Sequence, residues 1–227
     1  MGRYQSKNAP VAPQQTPMSS MGGSPQNYSG YPQTQSQYDP QDWPTSFPKS
    51  IIGIDRDGVI NEWKNIIKKH EDVNFIQGSL EAIRNLRLKG HRIVLFSDQP
   101  NIQRGLLTDR EVQNVMQFMM QQFGQAGIFT IDGFYYNQSD QLQDIYAKPN
   151  VGMLLRAKNE LNLDWTSGYY VGDTINDIKM AQKVGSIPVL VRTGKGAETE
   201  KKYLKSFDSK YKDVLVFDNL LQFSNSL

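Results

Sequence analysis

Short apolar runs alternate with stretches of helical periodicity along the chain from residue 50 onward. The apolar runs are four or five residues long and rich in β-branched and aromatic residues, which is typical of strands. Strands that alternate with helices predict an α/β fold, with a mainly parallel sheet and helices packed on both of its faces. The predicted strands are 51–54, 92–96, 133–136, 168–171, 187–191 and 214–217.

Four predicted helices occupy intervals between these strands, and their ends carry recognisable signals. The signals are Ser79 as a cap with Gly90 as the stop, Thr108 and Glu111 as a capping box, Pro149, and Thr174 with Gly185 as the stop. Apolar residues at helical spacing predict the buried side of each helix. They are Leu80, Ile83 and Leu86 in the first helix, Val112, Val115, Met116, Met119 and Phe123 in the second, Val151, Leu154 and Leu155 in the third, and Ile178, Ala181 and Val184 in the fourth.

Residues 1–49 lack this patterning. Eight of the eleven prolines fall within the first 50 residues, mixed with Gln, Ser, Gly and Tyr. Such a segment buries too little apolar surface to offset its chain entropy. We therefore expect a disordered tail at 1–49, which is either a linker or an interaction arm, followed by a single domain at 50–227.

Charge and composition indicate no macromolecular partner. The formal net charge is +2, and no basic run interleaved with aromatic residues is present, so we expect neither a nucleic-acid nor a membrane partner. No run of about 18 apolar residues occurs. The chain has no cysteine, which excludes disulfides and thiolate metal sites and fits a cytoplasmic protein. The sequence does not indicate an oligomeric state.

Polar residues come directly after several predicted strands or at the start of the next helix. Each of them alone is also an ordinary turn or cap residue. However, the carboxyl ends of parallel strands meet at one edge of a sheet, where ligands bind. Carboxylates gathered there would repel one another unless a cation lay among them, and oxygen ligands favour Mg²⁺. The residues are Asp55, Asp57, Ser97, Asp98, Lys148, Asp173 and Asp177.

Two other motifs do not fit this segment of the chain. Residues 55–58, Asp-Arg-Asp-Gly, carry glycine at the fourth position, whereas a calcium-binding EF-hand loop requires it at the sixth. Residues 194–196, Gly-Lys-Gly, lack the spacing of a nucleotide-binding P-loop. Calcium storage and ATP binding are therefore not indicated.

The order of the polar motifs resembles a known superfamily. Residues 55–61, DRDGVIN, are followed by Ser97, by Lys148-Pro149, and by Gly172-Asp173 with Asp177. This order is similar to the four motifs of the haloacid dehalogenase superfamily of phosphatases. Three stretches narrow the resemblance to the branch of histidinol phosphatases and D-glycero-D-manno-heptose 1,7-bisphosphate 7-phosphatases. They are FSDQPNIQRGLLT (96–108), AKPNVGMLLRA (147–157) and YVGDTINDIKMAQKVGSIPVLVRTGKG (170–196).

The resemblance implies a Rossmann-like fold and a catalytic role for each acidic residue. Asp55 is expected to be the nucleophile that forms an aspartyl-phosphate, and Asp57 the acid and base. The latter role requires a carboxyl group that is neutral or readily protonated. Mg²⁺ is expected to be held by Asp55, the main-chain carbonyl of Asp57, and Asp173. Asp177 is expected to orient Lys148 or a water molecule on the metal.

Substrate contacts follow from the same resemblance. Ser97 and Lys148 are expected to bind the phosphoryl oxygens, with Asp98 beside them. Arg104 either contacts the leaving group or is a solvated loop arginine. The predicted helices and strands fill the intervals between the motifs, so we expect an enzyme without a cap domain.

Three departures from the branch affect the expected specificity. Residues 135–149 contain no cysteine or histidine, so we expect no structural zinc, which that branch commonly holds there. Ala147 replaces an arginine and Asp98 replaces an asparagine, and both changes weaken binding of a bisphosphate.

These features together predict a magnesium-dependent phosphomonoesterase that acts on a small phosphorylated metabolite. The activity that it most resembles is hydrolysis of D-glycero-D-manno-heptose 1,7-bisphosphate. The alternatives are a phosphatase for histidinol phosphate or for nucleic-acid 3′ ends, and a binding module without catalysis.

Overall fold

A computed structural model describes residues 50–204 and 209–227 of the chain. The tail predicted at 1–49 lies outside the described residues. Six parallel strands form one sheet with the order β3-β2-β1-β4-β5-β6, which confirms the predicted α/β class. The strands are β1 (Ile51–Asp55), β2 (Arg92–Asp98), β3 (Gly133–Asn137), β4 (Tyr169–Gly172), β5 (Ile187–Val191) and β6 (Leu215–Phe217).

The strand order reverses between β1 and β4, which are neighbours in the sheet. In open parallel sheets, such a reversal opens a crevice beyond the carboxyl ends of the two strands. Asp55 is the last residue of β1, and Asp173 directly follows β4. The topology therefore brings these two carboxylates to the same crevice.

Helices cover both faces of the sheet, as predicted. On one face, helices α1, α2 and α6 pack against the side chains of Ile52, Ile54 and Leu95. On the other face, helices α3 and α4 pack against Val94 and Phe96. The helices are α1 (Ser79–Leu88), α2 (Asp109–Gln125), α3 (Gly152–Leu161), α4 (Ile175–Val184), α5 (Gly196–Thr199) and α6 (Leu220–Ser226).

The structure corrects two details of the predicted helices. The N-cap of α1 is Gly78, with φ of 81°, and Ser79 is the first helical residue, so its hydroxyl does not cap the helix. Leu155 is 47% exposed and not buried, because the inward face of α3 consists of Met153, Leu154 and Ala157. This face follows the helical period of 3.6 residues, which places position 155 on the solvent side.

Both predicted capping signals at strand-to-helix turns are confirmed. At α2, Thr108 accepts a hydrogen bond from the Glu111 amide, and Glu111 accepts one from the Thr108 amide. At α4, Thr174 and Asp177 form the same reciprocal pair. The carboxylate of Asp177 therefore has a local structural role as well as its position at the crevice.

The connections near the crevice are short. Between β1 and α1 the chain forms one 3₁₀ turn, His70–Asp72, and between β2 and α2 it forms only loop. Within the described ranges, neither interval holds a separate cap domain, as predicted. None of the helices in these ranges has the length and apolar character that a membrane span requires.

Candidate active site

Three carboxylates meet at the crevice between β1 and β4. One oxygen from each of Asp55, Asp173 and Asp177 lies within 4.8 Å of the others, and all three residues are buried. Asp55 comes from the end of β1, Asp173 from the turn after β4, and Asp177 from the first turn of α4. The structure thus brings Asp55 and Asp173, whose side chains were expected to hold Mg²⁺, together with Asp177, which was expected to orient Lys148 or a water molecule on the metal. We call these three residues the acidic triad.

Lys148 supplies a buried positive charge to the acidic triad. Its Nζ atom lies 2.6 Å from Oδ1 of Asp55 and 2.9 Å from Oδ1 of Asp177. Burial acts to lower the pKa of this lysine, but the charges of Asp177 and Asp55 outweigh burial and hold the pKa well above its usual value. The ammonium group therefore stays protonated at neutral pH.

One lysine does not neutralise the triad when all three carboxyl groups are ionised, because three carboxylates and one ammonium then leave two negative charges. Burial and the neighbouring carboxylates hold the pKa of Asp55 well above its ordinary value, although Lys148 opposes this. Burial and the charge of Asp177 raise the pKa of Asp173 to about 7. A buried set of oxygen ligands with two uncompensated charges has the chemistry that suits a hard divalent cation such as Mg²⁺.

Asp57 faces a separate set of donors. Its carboxylate accepts hydrogen bonds from Arg56 (2.8 Å at Nη2), Asn61 (2.9 Å), Ser97 (3.1 Å) and Gln99 (3.1 Å). The side chain of Asp57 therefore lies outside the acidic triad, and the expectation that Asp57 binds the metal concerns only its main-chain carbonyl.

The electrostatics of Asp57 differ from the sequence expectation. Burial opposes ionisation, but the Arg56 charge and the hydrogen bonds from Arg56, Asn61 and Ser97 lower the pKa below its ordinary value. The carboxyl group is therefore ionised at neutral pH in this state of the site, whereas the sequence predicted a group that is neutral or readily protonated. The reason is Arg56, the residue between the two motif aspartates, whose guanidinium folds back onto its neighbour and is buried.

Ser97 and Asp98 point to different partners although they are adjacent. Ser97 is buried beside Asp57, and its Oγ atom accepts a hydrogen bond of 2.7 Å from Gln99. Asp98 instead accepts hydrogen bonds from the Asn137 side chain (3.1 Å) and from the Lys148 main-chain amide (3.3 Å). Burial raises the pKa of Asp98 to about 6. Alternation along a strand explains the difference, since successive side chains leave opposite faces.

Two predicted substrate contacts therefore have other partners in the structure. Asp98 contacts the loop that carries Lys148, so it helps to hold that loop. Arg104 is half exposed and forms an ion pair of 3.2 Å with Asp140. The structure does not bring Arg104 to the acidic triad, and its surroundings are those of the alternative, a solvated loop arginine.

Several site residues were not predicted. The Lys195 amide donates a 2.8 Å hydrogen bond to Oδ2 of Asp173, and the Thr199 hydroxyl donates one of 2.9 Å to the Asp173 carbonyl. The Thr193 hydroxyl bonds to the carbonyl of Gly58 at 2.7 Å. These residues follow β5, next to β4 in the sheet. Their position after a strand was the available signal. Residues 193–196 lie in the stretch 170–196 that supports the family resemblance, but the sequence indicated no role for them.

Gly194 has no room for a side chain, and we expect Gly194→Ala to disturb the acidic triad. A Cβ atom there would lie 2.2 Å from Oδ2 of Asp173 and 2.6 Å from Cα of Gly58, at φ of +57°. Gly105→Ala is the matched control, because Gly105 has φ of +69° but a Cβ atom there would meet nothing within 4 Å. The left-handed backbone alone costs about 1–2 kcal/mol in either variant.

The difference in stability between Gly194→Ala and Gly105→Ala measures the effect of the steric contact with Asp173 and Gly58. Urea unfolding is expected to give a larger loss of stability for Gly194→Ala, and only that variant is expected to lose stabilisation by added MgCl₂. Equal losses in both variants, with equal responses to MgCl₂, would show that the contact with Asp173 is unimportant.

Comparisons with known proteins agree with this geometry. A family model described as HAD-hydrolase-like matches residues 145–223. The chain is 34% identical over 159 residues to a D-glycero-beta-D-manno-heptose-1,7-bisphosphate 7-phosphatase of Photorhabdus laumondii, covering 66% of this chain and 84% of that protein. The protein of the same name from Escherichia coli is 33% identical over 155 residues, covering 63% and 80% of the two chains.

Solved structures share the fold. The D,D-heptose 1,7-bisphosphate phosphatase from B. bronchiseptica, crystallised with magnesium and phosphate, superposes with a TM-score of 0.71 at 24% identity, covering 78% of this chain and 97% of that one. The corresponding enzyme from Burkholderia thailandensis gives a TM-score of 0.59 at 26% identity, with the same coverage. The chain therefore belongs to the haloacid dehalogenase superfamily of phosphatases, in the branch that includes the heptose bisphosphate phosphatases.

Proposed function

We propose that this phosphatase hydrolyses a small phosphorylated metabolite through an aspartyl-phosphate on Asp55, with Mg²⁺ in the acidic triad. The observation that carries the proposal is the meeting of the triad, Lys148 and the Asp57 network at one crevice. A phosphate monoester entering there would meet a carboxylate nucleophile, a fixed ammonium and a proton-transfer group.

Asp55 is held in an orientation that suits attack. Its Oδ1 atom accepts hydrogen bonds from Lys148 Nζ (2.6 Å) and from the Arg56 amide (2.9 Å). These donors fix the carboxylate and favour Oδ2 as the attacking oxygen. In the first step a bond forms between Asp55 and phosphorus while the bond from phosphorus to the leaving alkoxide breaks. In the second step water attacks phosphorus and the aspartyl ester bond breaks.

Asp57 would carry the proton in both steps. It gives a proton to the leaving alkoxide and later takes one from the attacking water. Its ionised state in the absence of substrate suits the second role directly. For the first role, the negative charge of a bound phosphate would act against the Arg56 contact and favour protonation.

Ser97 and Lys148 are the groups that would bind the phosphoryl oxygens. The Ser97 hydroxyl is bonded to Asp57, and the Lys148 ammonium is bonded to Asp55, so phosphate would enter between these two donors. Donors that are already in position stabilise the charge of the transition state without reorganisation.

The acidic triad would hold Mg²⁺ through Asp55 and Asp173, with the main-chain carbonyl of Asp57, while Asp177 keeps Lys148 in place. When bound, the ion supplies positive charge that reduces repulsion between the anionic nucleophile and the phosphate. The raised pKa values of Asp55 and Asp173 support this assignment, because buried like charges are otherwise unfavourable.

We expect the effect of Mg²⁺ on stability to increase with pH. The pKa of Asp173 is about 7 in the folded chain, above its ordinary value of 3.8, so the folded state binds more protons than the unfolded state. This stabilising contribution is complete below about pH 3.8 and is lost as pH rises through about 7. The residues that face Asp173 are Asp177, Asp55, Lys148 and Lys195.

Urea unfolding at pH 5 and pH 7.5, with MgCl₂ or with EDTA, measures this effect. The increase in the free energy of unfolding that MgCl₂ produces is expected to be larger at pH 7.5, where the ion relieves repulsion among ionised carboxylates. The Asp173→Asn variant is the control and is expected to lose most of this gain. An equal gain at both pH values would contradict a magnesium site in the triad.

The names of the relatives point to a first candidate substrate, because they refer to a heptose bisphosphate. The family resemblance implies that Ala147, Asp98 and the absence of cysteine and histidine from residues 135–149 are departures from that branch. We therefore infer a sugar phosphate or a metabolite of similar size, with the heptose bisphosphate as the first candidate.

A substrate panel tests the proposed function. Purified full-length chain would be assayed with D-glycero-D-manno-heptose 1,7-bisphosphate, other sugar phosphates, histidinol phosphate and a 3′-phosphorylated oligonucleotide, in MgCl₂ or EDTA. Magnesium-dependent release of phosphate from small esters is the expected result. Preference for the oligonucleotide would favour an end phosphatase, and no turnover of any ester would favour a binding module.

A further inference from the structure

The rim of the active site carries a cation on an exposed aromatic ring. Nζ of Lys195 lies 4.0 Å from the centroid of the Trp63 ring. Trp63 is 47% exposed, and Lys195 is exposed as well. Among the described residues, no carboxylate lies within ion-pair distance of this ammonium. A cation–π contact leaves the donors of a lysine available to an anion.

The main chain of Lys195 is anchored to the acidic triad. Its amide bonds to Asp173, and the adjacent Gly194 lies directly against the Asp173 carboxylate and Gly58. The neighbouring Thr193 is bonded to the Gly58 carbonyl. The side chain of Lys195 therefore starts from a fixed point beside the proposed metal ligands.

Trp63 is anchored to the other side of the site. Asn61, two residues earlier, is buried and donates a hydrogen bond to Asp57. The carbonyl of Asn61 also accepts a hydrogen bond of 2.7 Å from the Gly58 amide. The contact between Trp63 and Lys195 therefore connects the loop after β1, which carries Asp57, to the loop after β5, which is bonded to Asp173.

In the function proposed above, the leaving group of a substrate lies toward the loop that carries both Asp57 and Trp63. Asp57 transfers its proton to the leaving oxygen, so the rest of that group extends from the Asp57 side of the phosphate. The cation that the sequence offered for the leaving group, Arg104, pairs with Asp140 instead, and position 147 carries an uncharged alanine. Lys148 already forms ion pairs with Asp55 and Asp177.

We propose that Trp63 and Lys195 form the leaving-group subsite, and that this subsite selects substrates whose leaving group carries a second anionic group. The proposal rests on the function proposed above. The indole face packs against the carbon skeleton of the leaving group, and the ammonium binds its phosphate or carboxylate. The selected class is then a sugar bisphosphate or a related doubly anionic ester.

Two substrates that differ only in the second phosphate test the proposal. Fructose 1,6-bisphosphate and fructose 6-phosphate would be compared by kcat/KM in MgCl₂ at fixed ionic strength. Wild-type protein is expected to prefer the bisphosphate, and Lys195→Gln is expected to lower the ratio of the two kcat/KM values about tenfold, the loss of one charge-assisted hydrogen bond. Added salt is expected to lower the ratio in the wild type more than in the variant.

Lys202→Gln is the matched control. Lys202 is an exposed lysine whose Nζ lies 5.2 Å from the centroid of the Tyr203 ring, in the turn Glu200–Leu204. It makes the same kind of contact outside the site, so this variant is expected to leave the ratio unchanged. Trp63→Leu is expected to lower the ratio by a smaller factor. The double variant is expected to lower the ratio by less than the product of the two single effects, because the residues act as a pair.

The outcomes separate this proposal from the proposed function. If Lys195→Gln leaves the ratio of the two kcat/KM values unchanged, the subsite proposal is wrong. The phosphatase assignment stands in that case, provided that the variant still hydrolyses the esters and MgCl₂ still stabilises it. A wild-type ratio near one also overturns it. If wild-type protein hydrolyses no phosphate ester, the proposed function and the subsite fall together.

Discussion

Asp55→Asn is expected to lower kcat by at least about 10⁴-fold, because the variant removes the proposed nucleophile and keeps its size. An amide oxygen at this position does not attack phosphorus to form a stable ester. Steady-state turnover of the best substrate from the panel measures the loss. Mass spectrometry of acid-quenched wild-type enzyme is expected to detect a phosphorylated chain that the variant lacks.

Asp218→Asn is the control for a carboxylate at the same edge of the sheet. Asp218 directly follows β6, as Asp55 ends β1, but its carboxylate pairs with Arg192 away from the triad and is exposed. Turnover by this variant is expected to match wild type. Activity of Asp55→Asn within about tenfold of wild type would remove Asp55 as the nucleophile.

Lys148→Met is expected to affect both turnover and folding. The variant leaves Asp55 and Asp177 buried without their shared cation. Removal of one partner from a buried ion pair lowers the free energy of unfolding by about 3–5 kcal/mol. Loss of a donor to the phosphoryl oxygens is expected to lower kcat by about 10²–10³-fold as well. Urea unfolding in EDTA and steady-state kinetics in MgCl₂ measure the two effects separately.

The pH dependence of the Lys148→Met variant distinguishes charge from packing. Burial already holds the folded-state pKa of Asp55 above its ordinary value, and loss of the ammonium raises that pKa further. The folded variant then binds more protons, so its deficit in stability is expected to shrink as pH falls from 8 to 5. Addition of MgCl₂ at pH 8 is expected to restore part of the stability, since a cation again lies among the carboxylates.

Lys183→Met provides a control for the loss of a lysine contact near the same loop. Nζ of Lys183 donates a hydrogen bond of 2.9 Å to the carbonyl of Pro149, and the side chain is exposed. We expect a change in stability within about 0.5 kcal/mol, as for most surface substitutions. A deficit for Lys148→Met that does not change with pH would indicate lost packing and not unneutralised carboxylates.

The contacts of Asp98 and Arg104 could not be predicted from the sequence motifs. Both residues follow Ser97 in the motif stretch 96–108, and this closeness in sequence led to the prediction that they lie near the bound phosphate. Strand alternation turned Asp98 toward Asn137 and the Lys148 amide instead. Arg104 pairs with the carboxylate of Asp140, which lies 36 residues later in the chain. These contact partners are not part of a recognisable sequence motif. The spacing of residues along the chain therefore could not predict the contacts.

Local patterning along the chain was sufficient to specify the sheet, the capping of α2 and α4, and the set of acidic residues at the edge of the sheet. These features depend on periodicity and on which residue follows each strand, and both are visible in the sequence. Parallel strands then bring the strand-end residues together whatever the details of packing. This is why Asp55, Asp173 and Asp177 could be grouped from the sequence.

The pairing of charges with carboxylates, in contrast, was established only by the folded arrangement. Lys148 bonds to Asp55 across 93 residues, and Lys195 reaches the ring of Trp63 from the loop after β5. Arg56 lies between two aspartates in sequence, yet only folding placed its guanidinium against Asp57. The fold decides which charged side chains meet, and burial strengthens these interactions because water no longer screens the charges.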